Sequence, residues 1–265
     1  MTITIRHIID RLRGDVAPIE STVDTLLGPG SPDTAVAGVA VAFMPSLEVI
    51  ERAAALGANL LIAHEGVYYS HRTPAQLPED DPVFAHKQAL IRQSGVTVYR
   101  HHDYCHRASP DPITLGLVRA LDWERHLERM LPAAAVLAVP AMRADAAAAH
   151  VRARLGLPGV RFAGDPGMTC RRIGVFAGYR GGSELAVSLL REHRLDLIVA
   201  GEGPEWETPE YMRDAVHSGA AKSLLLIGHA ESEEPGMQLE AERLRQACPG
   251  LPVHWLAGRP ALRYM

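Results

Sequence analysis

The chain has 265 residues, 47% of them hydrophobic, with a formal net charge of −4 at pH 7, enough length and apolar content to fill the cores of one large or two modest domains. The acidic balance disfavours a general nucleic-acid surface, whose binding is driven by phosphate neutralisation. Apolar stretches are all far shorter than a bilayer span, and Arg6, His7 and Asp10 stand where a signal peptide needs an apolar core, so neither membrane insertion nor export is expected and the reading is cytoplasmic.

In chain order, Thr4 to Arg13 reads as an amphipathic helix and Ile19 to Leu27 as another. Gly28-Pro29-Gly30 breaks the pattern before a strand from Val36 to Phe43. A helix over Ser46–Leu56 then leads into Asn59-Leu60-Leu61-Ile62-Ala63-His64-Glu65-Gly66, a short apolar run between glycines that ends in two metal-type ligands. Such a run is what a parallel strand covered on both faces looks like. The same unit recurs: helix Phe84–Gln93, then strand Val96–Tyr99, ending in His101-His102-Asp103 with His106 just beyond.

After the turn Ser109-Pro110-Asp111-Pro112 comes a helix from Ile113 to Leu121, and the character shifts near Trp123. Ala134–Val139, Val160–Ala163, Arg172–Ala177 and Leu195–Ala200 read as strands, and Ala144–Leu155 and Ser183–Glu192 as helices. The glycine-rich turn Gly178 to Gly182 lies between a strand and a helix, where backbone amides could cradle an anion and Arg180 could meet a phosphate; a tight turn capped by Ser183 reads better. Thr208–Val216 opens with Thr208 and Pro209 as cap and first helical residue. Lys222–Ile227 then ends in Gly228-His229, followed by a helix Gly236–Ala247 and a last edge strand Val253–Leu256. The fold class expected is α/β with two α/β domains, the second inserted into the first: residues 1–125 with 222–265 form one, and 126–221 the other.

Three strands thus deliver a histidine at the same end, where ligands gather in open α/β sheets. His229 is followed four residues later by Glu233; imidazole with carboxylate suits Zn, Fe, Mn or Ni better than Ca or Mg. Glu231, Glu233 and Glu234 also fit a charged turn before a helix. No Gly-x-Ser-x-Gly elbow is present, and Cys105, Cys170 and Cys248 have no motif around them. Their odd number and wide spacing fit a reducing compartment, with Cys105 either a soft ligand or a packed side chain. Any reaction would therefore be carried by a metal.

These residues resemble the Nif-three-like dinuclear-metal proteins, often labelled GTP cyclohydrolase type-two homologues. Val23-Asp24-Thr25-Leu26-Leu27-Gly28 is similar to their Trp-Asp-Asn-x-Gly-Leu opening, without its Trp and Asn. Gly57 to His64 resembles the lead into a His-His pair, and Val98-Tyr99 through His106 the Val-Tyr-x-x-His-Thr-Asn-x-Asp stretch. Gly201-Glu202 and Gly228-His229-x-x-x-Glu233 resemble the Thr-Gly-Glu and Gly-His-x-x-x-Glu signatures. Glu65 stands where the family has the second His of its pair, and His106 where it has Asp. The two departures compensate in charge, so the resemblance implies the metal ligands His64, Glu65, His106, His229 and Glu233, with Asp103 as an alternative carboxylate. It further implies two divalent ions (Zn, Fe, Mn or Ni), His102 and Glu202 as candidate catalytic groups, and a ring-shaped homohexamer. The function implied is metal-dependent hydrolysis of a phosphorylated or nucleotide-like ligand; a metal-dependent binding or regulatory scaffold without turnover is the other reading.

Overall fold

The computed structural model describes residues 2–71 and 80–263. Helix α1 (Ile5–Arg13) buries Ile5, Ile8, Ile9 and Leu12, one face at helical spacing. The short strand β1 (Leu26–Leu27) precedes β2 (Val39–Ala42), α2 (Leu47–Ala55), β3 (Leu60–Ala63), α3 (Pro82–Ser94), β4 (Thr97–Arg100) and the five-residue helix α4 (Asp103–Arg107). Ser46 accepts the Val49 amide to cap α2, and Asp81 caps α3, which Gly95 closes in the left-handed region at φ 73°.

Next come α5 (Pro112–Ala120), a 3₁₀ turn (Glu124–His126), β5 (Leu127–Leu131), β6 (Ala134–Arg143), α6 (Ala144–Leu155), β7 (Arg161–Gly164) and β8 (Thr169–Phe176). Then α7 (Ser183–Glu192), β9 (Leu197–Ala200), α8 (Thr208–His217), β10 (Ser223–Leu226), α9 (His229–Ala247) and β11 (Val253–Trp255) complete the chain.

Two compact units result, one of Met1–Ala108 with Met237–Ala261, the other of Ser109–Gly236 with Leu262–Met265. The first holds a five-stranded sheet of order β1-β4-β3-β2-β11, parallel except for β1. All four residues of β2, β3 and β4 are buried, as a parallel sheet covered on both faces requires. The core of this unit packs Val49, Ile50 and Ile91 against Ala40, Leu61 and Val98. The second unit holds a six-stranded mixed sheet of order β5-β6-β8-β9-β10-β7, its core built on Phe176, Leu190, Ile198, Met212 and Leu224. Among the described residues no helix is long and apolar enough to cross a membrane.

Three expectations are corrected. Ile19 to Leu27 is not a helix: the amides of Ile19 and Val23 donate to the Tyr104 hydroxyl and the Asp103 carboxylate, and Leu26 and Leu27 pair antiparallel with β4. Helix propensity is a weak prior against such tertiary partners. The strand after Lys222 does not return to the first sheet, because Ser223–Leu226 pairs parallel with β9 and antiparallel with β7 inside the second. The compact units divide after Ala108 and Gly236. Finally, α9 begins at His229 rather than at Gly236, with Pro235 inside it.

Candidate metal centre

In the first unit β3 and β4 run parallel and in register, Ala63 opposite Arg100, so His64 and His101 leave the sheet side by side. The His64 ring is fully buried, and its Nδ1 lies 3.0 Å from the His101 carbonyl oxygen. A carbonyl can only accept, so Nδ1 carries the proton and the Nε2 lone pair is directed away from it. That Nε2 lies 3.2 Å from His106 Nε2. Two imidazoles on one tetrahedral zinc ion, at about 2.0–2.1 Å each, would place their nitrogens about 3.3 Å apart. His102 completes the cluster, its ring centroid 4.7 Å from that of His64 and 4.8 Å from that of His106. The three imidazoles have donor atoms close enough to hold one ion.

Asp24 shapes the turn that carries two of these rings. Its Oδ1 accepts the amides of His102 and Asp103 at 3.0 and 2.6 Å, fixing the start of α4. Burial pushes the Asp24 carboxyl up, but the His101 ring and these amides outweigh it and hold it down at about 2. The His101 ring is buried without a hydrogen-bond partner on either nitrogen, with Asp24 Oδ2 3.7 Å from Nδ1. Asp103 Oδ1 lies 2.9 Å from His102 Nδ1, while its Oδ2 accepts the Val23 amide. That leaves His102 Nε2 as the unprotonated nitrogen. Burial and the neighbouring His64 and His106 rings push the His102 imidazole down to about 4, against the pull of Asp103. At neutral pH it is therefore an uncharged donor. Cys105 is buried on α4 and belongs to none of the metal-type groups found among the described residues.

Glu65 begins the loop after β3 and is tied from beneath. The buried Arg100 guanidinium donates through Nη2 to Glu65 Oε2 at 3.0 Å, through Nη1 to the His71 carbonyl at 2.6 Å and through Nε to the His64 carbonyl at 3.3 Å. Lys87 on α3 is a second buried cation, its Nζ 2.6 Å from the Val67 carbonyl. Arg100, Lys87 and His71 were not among the residues singled out from the sequence. A charged residue closing the apolar strand Val96–Tyr99 was the one available signal.

In the second unit, His229 is the first residue of α9, so Glu233 lies one turn on along the same face. His229 Nδ1 is 2.9 Å from Glu202 Oε1, and Nε2 is 3.1 Å from Glu233 Oε2. Burial pushes the His229 imidazole down, but the two carboxylates push it further up, to about 9. Glu231, Glu233 and Glu234 lie in the first turns of the helix rather than in a turn before it. Gly178, at φ 67°, is required here: a Cβ on it would collide with the Glu233 carboxylate. At the end of the turn Gly182 rather than Ser183 is the helix cap, and the Ser183 amide and hydroxyl both donate to Glu207 Oε2. Arg180 donates to Asp111 Oδ2 and Thr114 Oγ1, at 3.0 and 3.1 Å.

A family model described as Duf34/NIF3 (NGG1p interacting factor 3) matches residues 23–258. The chain belongs to this family. The DUF34/NIF3 assignment agrees with the resemblance read from the Gly-His-x-x-x-Glu and strand-end histidine motifs. Solved structures share the fold at low identity. Staphylococcus aureus protein SA1388 is 17% identical, with 99% of each chain covered and a TM-score of 0.75. A Bacillus cereus protein related to NIF3 is 15% identical, covering 100% of this chain and 99% of its own, with a TM-score of 0.77. Reduced HcgD from Methanocaldococcus jannaschii is 14% identical, covering 97% and 98%, with a TM-score of 0.71. No curated protein matches the sequence.

Proposed function

We propose that this DUF34/NIF3 protein is a metal-dependent hydrolase acting on a phosphorylated or nucleotide-like substrate. Its ligands would be the imidazole trio His64, His102 and His106 in one unit and the His229–Glu233 pair in the other, two divalent ions in all, with Zn, Fe, Mn or Ni suited to these donors. The observation that carries the reading is the His64–His106 pair: one tautomer set by a backbone carbonyl, and two nitrogens at the spacing a shared ion needs. His102 serves better as a ligand than as a proton shuttle, since a ring held down at about 4 is uncharged at neutral pH and keeps an Nε2 lone pair for a cation. Glu202 orients His229 through Nδ1, as carboxylates do for metal-binding histidines. A cation would take the place of the proton that His229 shares with Glu233. When bound, such an ion supplies Lewis acidity and a water ionised near neutral pH.

A scaffold or regulatory role without turnover is the second reading. It is favoured by one observation: Asp24, Glu65 and Asp103, the carboxylates around the trio, already accept hydrogen bonds from the fold, which leaves them poorly placed as general acids or bases. The experiment is hydrolysis of p-nitrophenyl phosphate and nucleoside triphosphates by Zn- or Mn-loaded protein beside its His64→Ala and His229→Ala variants. Turnover lost in both variants supports the hydrolase. Bound metal with no turnover above the variants supports the scaffold.

A further inference from the structure

A second metal-type group adjoins the trio. Glu65, His71 and His102 each offer a donor atom, all within 4.8 Å of one another, and two imidazoles with one carboxylate is a common set for a divalent transition metal. Arg100 decides against it. Its Nη2 lies 3.0 Å from Glu65 Oε2 and 3.1 Å from His71 Nδ1, so one guanidinium nitrogen faces two of the three donors. Guanidinium groups only donate, so the His71 Nδ1 lone pair is directed at Arg100. The remaining donors of Arg100 reach the carbonyls of His64 and His71. The side chain is 1% exposed, against 15% for Glu65, and a divalent ion placed among these donors would meet a buried fixed charge of the same sign.

We propose that the Arg100 guanidinium is the resident cation of the Glu65–His71–His102 group: a positioning residue that closes the group to a metal ion and holds Glu65 against the loop after β3. The proposal rests on the metal reading of the trio in one respect, since His102 belongs to both groups. Glu65 is then more than the replacement of a family ligand. Its charge is answered inside the protein, and Arg100 and Glu65 form a matched pair.

The consequence is that removing Arg100 creates a metal site. Metal-free full-length protein is dialysed against buffered micromolar Zn²⁺, and zinc per chain is read by mass spectrometry for the parent, Arg100→Ser, Arg100→Lys, His71→Ala and Arg100→Ser with Glu65→Gln. Arg100→Ser should bind one zinc ion more than the parent, with His64 and His106 keeping the first ion and the single His102 lone pair turning to the second. Arg100→Lys should match the parent, and the added Glu65→Gln should abolish the gain. An Arg100→Ser protein that binds no extra ion overturns the proposal. His71→Ala alters an exposed side chain and keeps the test independent of whether Arg100→Ser folds: it should leave the parent's zinc content unchanged, and the loss of an ion would mean that His71 is already a ligand. A parent that binds no zinc at all overturns the metal reading of the trio, while the gain in Arg100→Ser still decides the role of Arg100.

Discussion

Two histidines at the ends of two strands are oriented by different means. His64 is aimed by a neutral carbonyl, that of His101, and His229 by a carboxylate, that of Glu202. An anionic partner raises the basicity of the opposite ring nitrogen as well as fixing the ring, so Glu202 has more to lose by neutralisation. Glu202→Gln, which keeps the shape of the side chain, should weaken Zn²⁺ binding about 10–100-fold in a chelator competition assay. Parental affinity in this variant would show that His229 needs no such support. His64 and His229 were singled out in the sequence because each stands at the end of a short apolar strand, and His106 and Glu233 through the motifs that carry the family resemblance. The pairing of Glu65 with Arg100 was not, since the two lie 35 positions apart and meet through the register of β3 and β4.

Elements around the trio are held in place by buried charge. Asp24 fixes the start of α4, while Lys87 and Arg100 hold the carbonyls of Val67 and His71 after β3. Burial pushes the Lys87 ammonium down to about 8 from its ordinary 10.5. The unfolded chain then binds more protons than the folded one between these values, so stability should rise as the pH increases from about 8 towards 10.5. The full shift corresponds to a cost of about 3 kcal/mol for keeping the charge buried at neutral pH. Lys87→Met should remove this contribution, and urea unfolding of parent and variant at pH 7.5 and 10 measures it. A difference in stability between the two that does not change with pH would mean that Lys87 keeps an ordinary pKa.

At the scale of the molecule, the family match and the neighbouring solved structures establish the DUF34/NIF3 fold. Assembly is a prediction that rests on the family resemblance alone: the protein should form a closed homo-oligomer, a hexamer, one of the closed point-group assemblies open to soluble homo-oligomers. Light scattering after size exclusion should report about six chain masses, independent of concentration. A monomer throughout a dilution series would remove the ring from the reading.

Hydrophobic periodicity, which is local, was enough to determine the α/β class, the order of most strands and helices, and the strand-end positions of His64, His101 and His229. Tertiary structure decided which sheet received Ser223–Leu226, because its Leu-Leu-Leu run suits any covered strand and only its pairing with β9 and β7 distinguishes the sheets. It also turned Ile19–Leu27 from an apparent helix into extended chain, since the side chains that take its amides come from α4, some 80 positions away. The same holds for Arg100: its identity is a matter of sequence, but its burial against Glu65 and His71 is a matter of packing, and no local pattern encodes a contact made across the sheet.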